Sequence, residues 1–203
     1  MIQFYKPNPK NTGSACSFWS NYDGSVMTSL IKQASWDSNA KKGSFARNKD
    51  NPSKRVIVKL NPTEVGGLID SIETNREFSN YHTSQNQTLQ IKFGPYLRNG
   101  EQIGYSFSVY KQDKQDSSNK VSYVIGFTFP EARYLKEFLI YVLRKIFEKE
   151  NEKHQKNQKE KIKEVMKQKR EKEKQATTNQ PAEDTEEDLW WSYEPQKEKG
   201  IIP

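Results

Sequence analysis

Apolar and polar residues alternate through Val56-Ile57-Val58-Lys59-Leu60, and at Asn61 the period lengthens. Val65, Leu68, Ile69 and Ile72 then recur at i, i+3, i+4 and i+7, so a half-buried strand runs directly into an amphipathic helix. The junction carries its own start signal. Asn61 is a good N-cap, Pro62 suits the first helical position because its missing N–H would have no partner there, and Glu64 can reach back to the cap. The apolar stripe has to pack on something, and the expected partner is the sheet it has just left. Gly66 and Gly67 each cost about 1 kcal/mol against alanine inside a helix, so a close approach of helix to backbone is the expected reason for them. They do not form a phosphate-binding loop, since no Lys-Ser or Lys-Thr closes one.

Alternation marks the other strands. Ser14 to Trp19 and Ser25 to Ser35 are strand-like runs joined by Asn21-Tyr22-Asp23-Gly24, a hairpin signal, and a short strand is expected near Ser44 to Arg47. The first helix should end near Asn75 to Phe78 and lead into a polar connection from Ser79 to Gln87. Three further strands follow, Thr88 to Gly94, Ile103 to Tyr110 and Lys120 to Phe129. Leu89, Ile91, Phe93; Ile103, Tyr105, Phe107, Val109; and Val121, Tyr123, Ile125, Phe127, Phe129 each line one face, which we read as core. The other face is light: Gln90, Lys92, Gly104, Ser106, Ser108, Ser122, Gly126 and Thr128. Thr128-Phe129-Pro130-Glu131 opens a second helix with the logic of the first, so the strand-helix unit occurs twice. Along this helix Ala132, Leu135, Leu139, Val142 and Ile146 form a core stripe, yet the run from Phe138 to Leu143 is apolar nearly all round. A subunit interface including Phe138, Ile140 and Tyr141 is the expected cover, the alternative being the chain's own N-terminal segment.

Pattern and charge divide the 203 residues into a domain over 1–147, a charged helical extension over 148–175, and a linker with an acidic, disordered tail over 176–203. The extension carries +4 and the tail −5, which leaves +8 on the domain. A basic domain with an acidic end suits a polyanion binder that holds its own competing anion. The single cysteine, Cys16, excludes an intramolecular disulfide, and His82 and His154 have no partners at metal-ligand spacing. Neither a signal peptide nor an eighteen-residue apolar run is visible, so we expect a soluble, cytoplasmic protein without cofactor or metal. Asp70, Glu73 and Glu77 read as a solvated helix face and His82 as a loop or packing residue. No acid/base pair emerges, and we expect no enzyme activity.

Cations instead lie among aromatics: Lys32 near Trp36, Phe45 near Arg47, and Lys92 near Tyr96 and Arg98, with Lys54 and Lys59 close in sequence to the first junction. Single-stranded nucleic acid is held by this mixture, cations meeting phosphates and ring faces meeting unstacked bases. The stretch Leu60-Asn61-Pro62-Thr63-Glu64-Val65-Gly66-Gly67-Leu68-Ile69, with the later Phe-rich strand and Pro130-Glu131-Ala132, resembles the Whirly single-stranded-DNA-binding proteins and their wider superfamily of transcriptional regulators. The resemblance covers roughly residues 1–147. It implies an α+β fold of two antiparallel sheets each followed by a helix, oligomers assembled through helices, and single-stranded DNA along the sheet edges. The Lys-Gly-Lys motif tied to higher assembly in the plant proteins has no counterpart, so a tetramer does not carry over.

The tail looks like the recruiting tails of replication single-strand-binding proteins. Asp188, Leu189, Trp190, Trp191 and Tyr193 are its expected partner-binding residues. Together these features suggest a prokaryotic or virus-encoded protein of replication, recombination or repair, in a bacterial or virus-infected host cytoplasm. The alternatives are an RNA-binding or transcription-regulating protein on the same fold, and a non-enzymatic assembly protein that meets an acidic partner.

Overall fold

A computed structural model describes residues 1–21, 23, 25–115 and 120–178, with side chains through Lys172. Two compact units divide it, Met1–Glu152 and Lys153–Pro203, the second described only over 153–178. In the first unit, strands β1 (Ile2–Lys6), β2 (Ser14–Ser20), β3 (Val26–Lys32), β4 (Ser35–Asp37), β5 (Lys42–Ser44) and β6 (Arg55–Leu60) precede helix α1 (Pro62–Thr74). Strands β7 (Phe78–Thr83), β8 (Gln87–Arg98), β9 (Glu101–Asp113) and β10 (Lys120–Phe127) then lead to helix α2 (Phe129–Thr178). One four-stranded antiparallel sheet has the order β1-β2-β3-β6, the other β10-β9-β8-β7, and β4 with β5 forms a separate ribbon between β3 and β6. The fold is α+β, a sheet followed by a helix, twice.

Both helix starts are built as their residues dictate. Asn61 Oδ1 accepts from Glu64 N at 2.9 Å while Asn61 N donates to Glu64 Oε2 at 2.8 Å. At α2, Thr128 donates to Glu131 Oε2 from its backbone N (2.8 Å) and its hydroxyl (2.9 Å). Asn75 ends α1 in the left-handed conformation.

The helix does not cover the sheet it leaves. It packs on β7 and β8, where Asn80 Nδ2 and His82 Nε2 lie 2.6 and 2.5 Å from Glu64 Oε1 and Ser71 Oγ donates to Phe93 O at 3.2 Å. In turn α2 meets β1, through Phe4 and Tyr134 (6.2 Å between ring centroids) and through Lys6 Nζ, which donates to both Glu131 oxygens at 2.5 and 2.6 Å. The two repeats are therefore interlocked, and a single apolar cluster runs through both sheets and both helices. Phe18 and Phe107 (5.7 Å) and Phe4 and Phe127 (4.8 Å) join the sheets directly, each such pair adding about 0.5–1.5 kcal/mol beyond its burial.

Several elements differ from expectation for identifiable reasons. The 79–87 connection contains β7, whose polar residues survive as a strand because it is the outer strand beside β8. β1 was not anticipated, and its Ile2 and Phe4 are buried. The Ser25–Ser35 run breaks after Lys32, because the buried Gln33 side chain turns to the 8–13 loop, accepting from Asn8 N at 2.9 Å and donating to Asn8 O at 3.0 Å. The short strand expected near Ser44–Arg47 lies earlier, as β5 at Lys42–Ser44, and a 3-10 turn at Ala46–Asn48 takes most of the expected span. Ile103 is exposed rather than core, because the register slips by one residue beside Tyr96 and Leu97. Gly104 occupies that slip at φ +152°, where a Cβ would stand 2.0 Å from Phe127 O, so the residue is confined to glycine. Gly104 and Ser108, read as part of the light face, are buried. Phe129 is half-exposed, its ring edge-on to Tyr105.

Candidate nucleic-acid interface

The first sheet has one face in the core and one face open. Alternation along its strands aligns three rows on the open side: Tyr5-Ala15-Ile31-Arg55, Gln3-Ser17-Ser29-Ile57 and Trp19-Met27-Lys59. Phe45, carried in by the loop between β5 and β6, packs on Tyr5 with ring centroids 5.9 Å apart. The result is a groove of about 600 Å³ lined by Gln3, Tyr5, Ser17, Trp19, Phe45, Lys49 and Arg55. Tyr5 is 55% exposed whereas Phe45 is 9% exposed, so Tyr5 offers a ring face and Phe45 a wall. The groove is partly organised in advance. Arg55 Nε donates to Ser29 Oγ and its Nη1 to Lys49 O, both at 2.9 Å, and Tyr5 OH donates to Gln3 Oε1 at 2.7 Å.

Lys59 stands at the end of this face, 3.3 Å from Asp23. The Ser25 hydroxyl, followed by the Ser25 N–H, holds Asp23 at about 2, so this carboxylate stays charged and competes with any phosphate for Lys59. Both side chains are more than half exposed, which makes the pair weak and exchangeable.

Lys32 belongs to a different recess, of about 380 Å³, lined by Asn11, Gly13, Ser14, Lys32, Tyr123 and Val124. Here Lys32 Nζ lies 5.2 Å from the centre of the Tyr123 ring, and Ser14 Oγ donates to Val124 O at 2.6 Å, tying β2 to the free edge of β10. Burial, then the nearby Lys54, depresses the Lys32 pKa. Lys54 and Arg47 are exposed in the loop before β6, and Trp36 is half-buried on β4 opposite Gly43.

The remaining candidates sit on the second sheet. Lys92 is 3.4 Å from Glu77, Tyr96 pairs across to Gly104, and Arg98 to Glu101 at the strand's end. Beside them an open row runs Tyr81-Gln90-Tyr110-Ser122, with Gln90 donating to Tyr81 OH at 2.6 Å. The anticipated residues are thus dispersed: Phe45 lines the groove, Lys59 stands at the end of that face, Lys32 marks the recess, and Lys92, Tyr96 and Arg98 lie on the other sheet.

Tyr5, Trp19, Lys49, Arg55, Tyr81 and Tyr110 were missed. For five of them the signal was present as period-2 alternation opposite core residues. Lys49 comes from a loop that no period marks.

Nothing among the described residues resembles a catalytic centre. No cluster of His, Cys, Asp and Glu there could hold a metal. Burial, moderated by a hydrogen bond with Thr28, pushes the Cys16 thiol up to about 12, which leaves no thiolate for nucleophilic chemistry. His82 is not a loop residue but part of β7, occupied by Glu64. No described helix is long and apolar enough to cross a membrane.

No family model and no curated protein matches the chain in sequence. Solved structures do match in fold. WHY1 from Arabidopsis thaliana aligns at 16% identity and a TM-score of 0.50, covering 70% of this chain and 81% of that one. WHY3 from Arabidopsis thaliana aligns at 18% and 0.50, covering 70% and 85%. The plant transcriptional regulator PBF-2 aligns at 17% and 0.52, covering 74% and 83%. The interlocked repeat of a four-stranded antiparallel sheet and a helix is accordingly the Whirly fold.

Proposed function

We propose that this protein binds single-stranded DNA with little sequence preference, using the open face of its first sheet, in replication, recombination or repair. The carrying observation is the groove in which the rings of Tyr5 and Trp19 lie with Lys49 and Arg55, with Lys59 at the end of the same sheet face. Rings there are sequence-tolerant because every base has a π face, and the cations meet phosphates. Lys92, Tyr81, Tyr96, Arg98 and Tyr110 extend the same chemistry on the second sheet, and Lys32, Trp36, Arg47 and Lys54 flank it. RNA is the alternative ligand, and transcription regulation the alternative role; one structural neighbour, PBF-2, is described as a transcriptional regulator. Recruitment of replication proteins through Asp188, Leu189, Trp190, Trp191 and Tyr193 concerns a segment outside the described residues.

Anisotropy with oligo-dT, oligo-U and duplex DNA at two salt concentrations tests the reading. Tyr5→Ala and Trp19→Ala are each expected to weaken oligo-dT binding by about 1–3 kcal/mol with the salt slope unchanged. Lys49→Gln and Lys59→Gln are each expected to flatten the slope by about 0.7. Equal affinity for duplex and single strands would overturn it.

A further inference from the structure

The described side chains of the second unit form no core. Every residue from Lys153 to Lys172 is exposed and helical, and the segment holds nine Lys+Arg against three Glu. The cations are not spread evenly around the helix. Lys156, Lys159, Lys163, Lys167 and Arg170 are spaced by three, four, four and three residues, which keeps them on one face. The exposed Ile162 and Met166 fall along one flank of that stripe, Val165 toward the opposite face, and Glu160, Glu164 and Glu171 along the other flank. Only Lys167 of the five is drawn toward that flank, 3.9 Å from Glu171, in an exposed pair that contributes little. Lys161, Lys169 and Lys172 lie on the opposite face, but only the Lys156-to-Arg170 row is continuous, and the glutamates are confined to its one flank.

We propose that the Lys156-to-Arg170 stripe is a second phosphate-binding surface for single-stranded nucleic acid, separate from the sheet groove. This rests on the binding function proposed above and adds a site to it. The helix rises about 1.5 Å per residue, so the five cations form a straight ladder about 21 Å long. Such a ladder meets a backbone through charge alone and reads no bases. It differs from the groove in kind: the groove combines stacking with charge, whereas the stripe has no aromatic ring. It should therefore add to the salt dependence of binding and leave base preference untouched. Glutamates confined to one flank bound the track on that side.

The test compares two full-length variants of equal net charge. Lys159→Gln, Lys163→Gln and Arg170→Gln together remove three cations from the stripe; Lys153→Gln, Lys161→Gln and Lys172→Gln remove three from elsewhere on the same helix. Glutamine keeps helix propensity, and circular dichroism checks that both variants retain the wild-type helix. For oligo-dT long enough to leave the groove, the stripe variant is expected to lose about 2 from the slope of log affinity against log salt, and the other variant much less. Equal loss in both variants, or no loss in either, overturns the stripe while the groove stands. Wild-type protein that does not bind oligo-dT at all overturns both. A stripe variant that binds more tightly at low salt also overturns the proposal, and would mean that the stripe holds an acidic segment of the chain instead.

Discussion

A Cβ built on Gly67 would stand 2.3 Å from the Phe78 ring, whereas one on Gly66 meets nothing within 4 Å. The close approach that Gly67 permits is to a side chain of β7 and not, as the sequence suggested, to backbone. The two neighbours consequently respond in opposite directions to the same change. Gly66→Ala is expected to raise unfolding free energy by about 1 kcal/mol, through helix propensity alone. Gly67→Ala should lower it by up to about 2 kcal/mol, because moving the partly buried Phe78 ring costs about 1–3 kcal/mol against the same gain of about 1 kcal/mol in helix propensity. Urea midpoints at constant m-value would show both.

At the level of elements, polar clasps hold each helix to the other repeat. Glu64 is 2% exposed and serves Asn61 N, Asn80 and His82 at once, so it fixes both the start of α1 and its seat on β7. Glu64→Ala removes the reciprocal cap and takes the shared acceptor from the half-buried Asn80 and His82, an expected loss of about 1–3 kcal/mol. Glutamine at 64 should recover part of it, as a chemical-denaturation series would reveal.

Glu131 is the matching clasp on α2. Burial by itself would raise its pKa, but hydrogen bonds from Lys6 and from the Thr128 N–H and hydroxyl outweigh that and hold it below the ordinary glutamate value. A folded pKa below the unfolded one stabilises the protein above the unfolded value and loses that contribution as pH falls through the folded value. Stability should therefore decline on acidification below about pH 4.5, and Glu131→Gln should make that decline shallower. Thermal melts of both proteins across that pH window are the measurement.

For the whole molecule, the apolar belt on α2 divides in two. Phe138 and Leu143 are partly buried against the protein's own core, so the chain itself covers part of the belt. Tyr134, Tyr141 and Phe147 remain exposed at 57, 58 and 57%. We propose that these residues, with the half-buried Phe138 and Ile140, form the contact of a homo-oligomer. Tyr141→Glu is expected to reduce the mass measured by light scattering without lowering the melting temperature of the separated subunit. A monomeric wild-type protein at micromolar concentration would refute the assembly.

Local physics was legible in the chain. The capping box at Asn61, the Thr128–Glu131 contact that opens α2, the strand Arg55–Leu60, the core stripe from Ala132 to Ile146 and the repeated sheet-helix unit all follow from period and side-chain chemistry within a few residues. Tertiary structure decided what such periods leave open. A helix stripe has the same spacing whichever sheet it covers, so the crossing of α1 onto β7 and β8 could not be read from it. Outer strands such as β7 need only one paired neighbour and tolerate a polar sequence. The groove is the clearest case: Tyr5, Trp19 and Arg55 are far apart in the chain, and pairing of β1, β2, β3 and β6 in register sets their side chains on one open face.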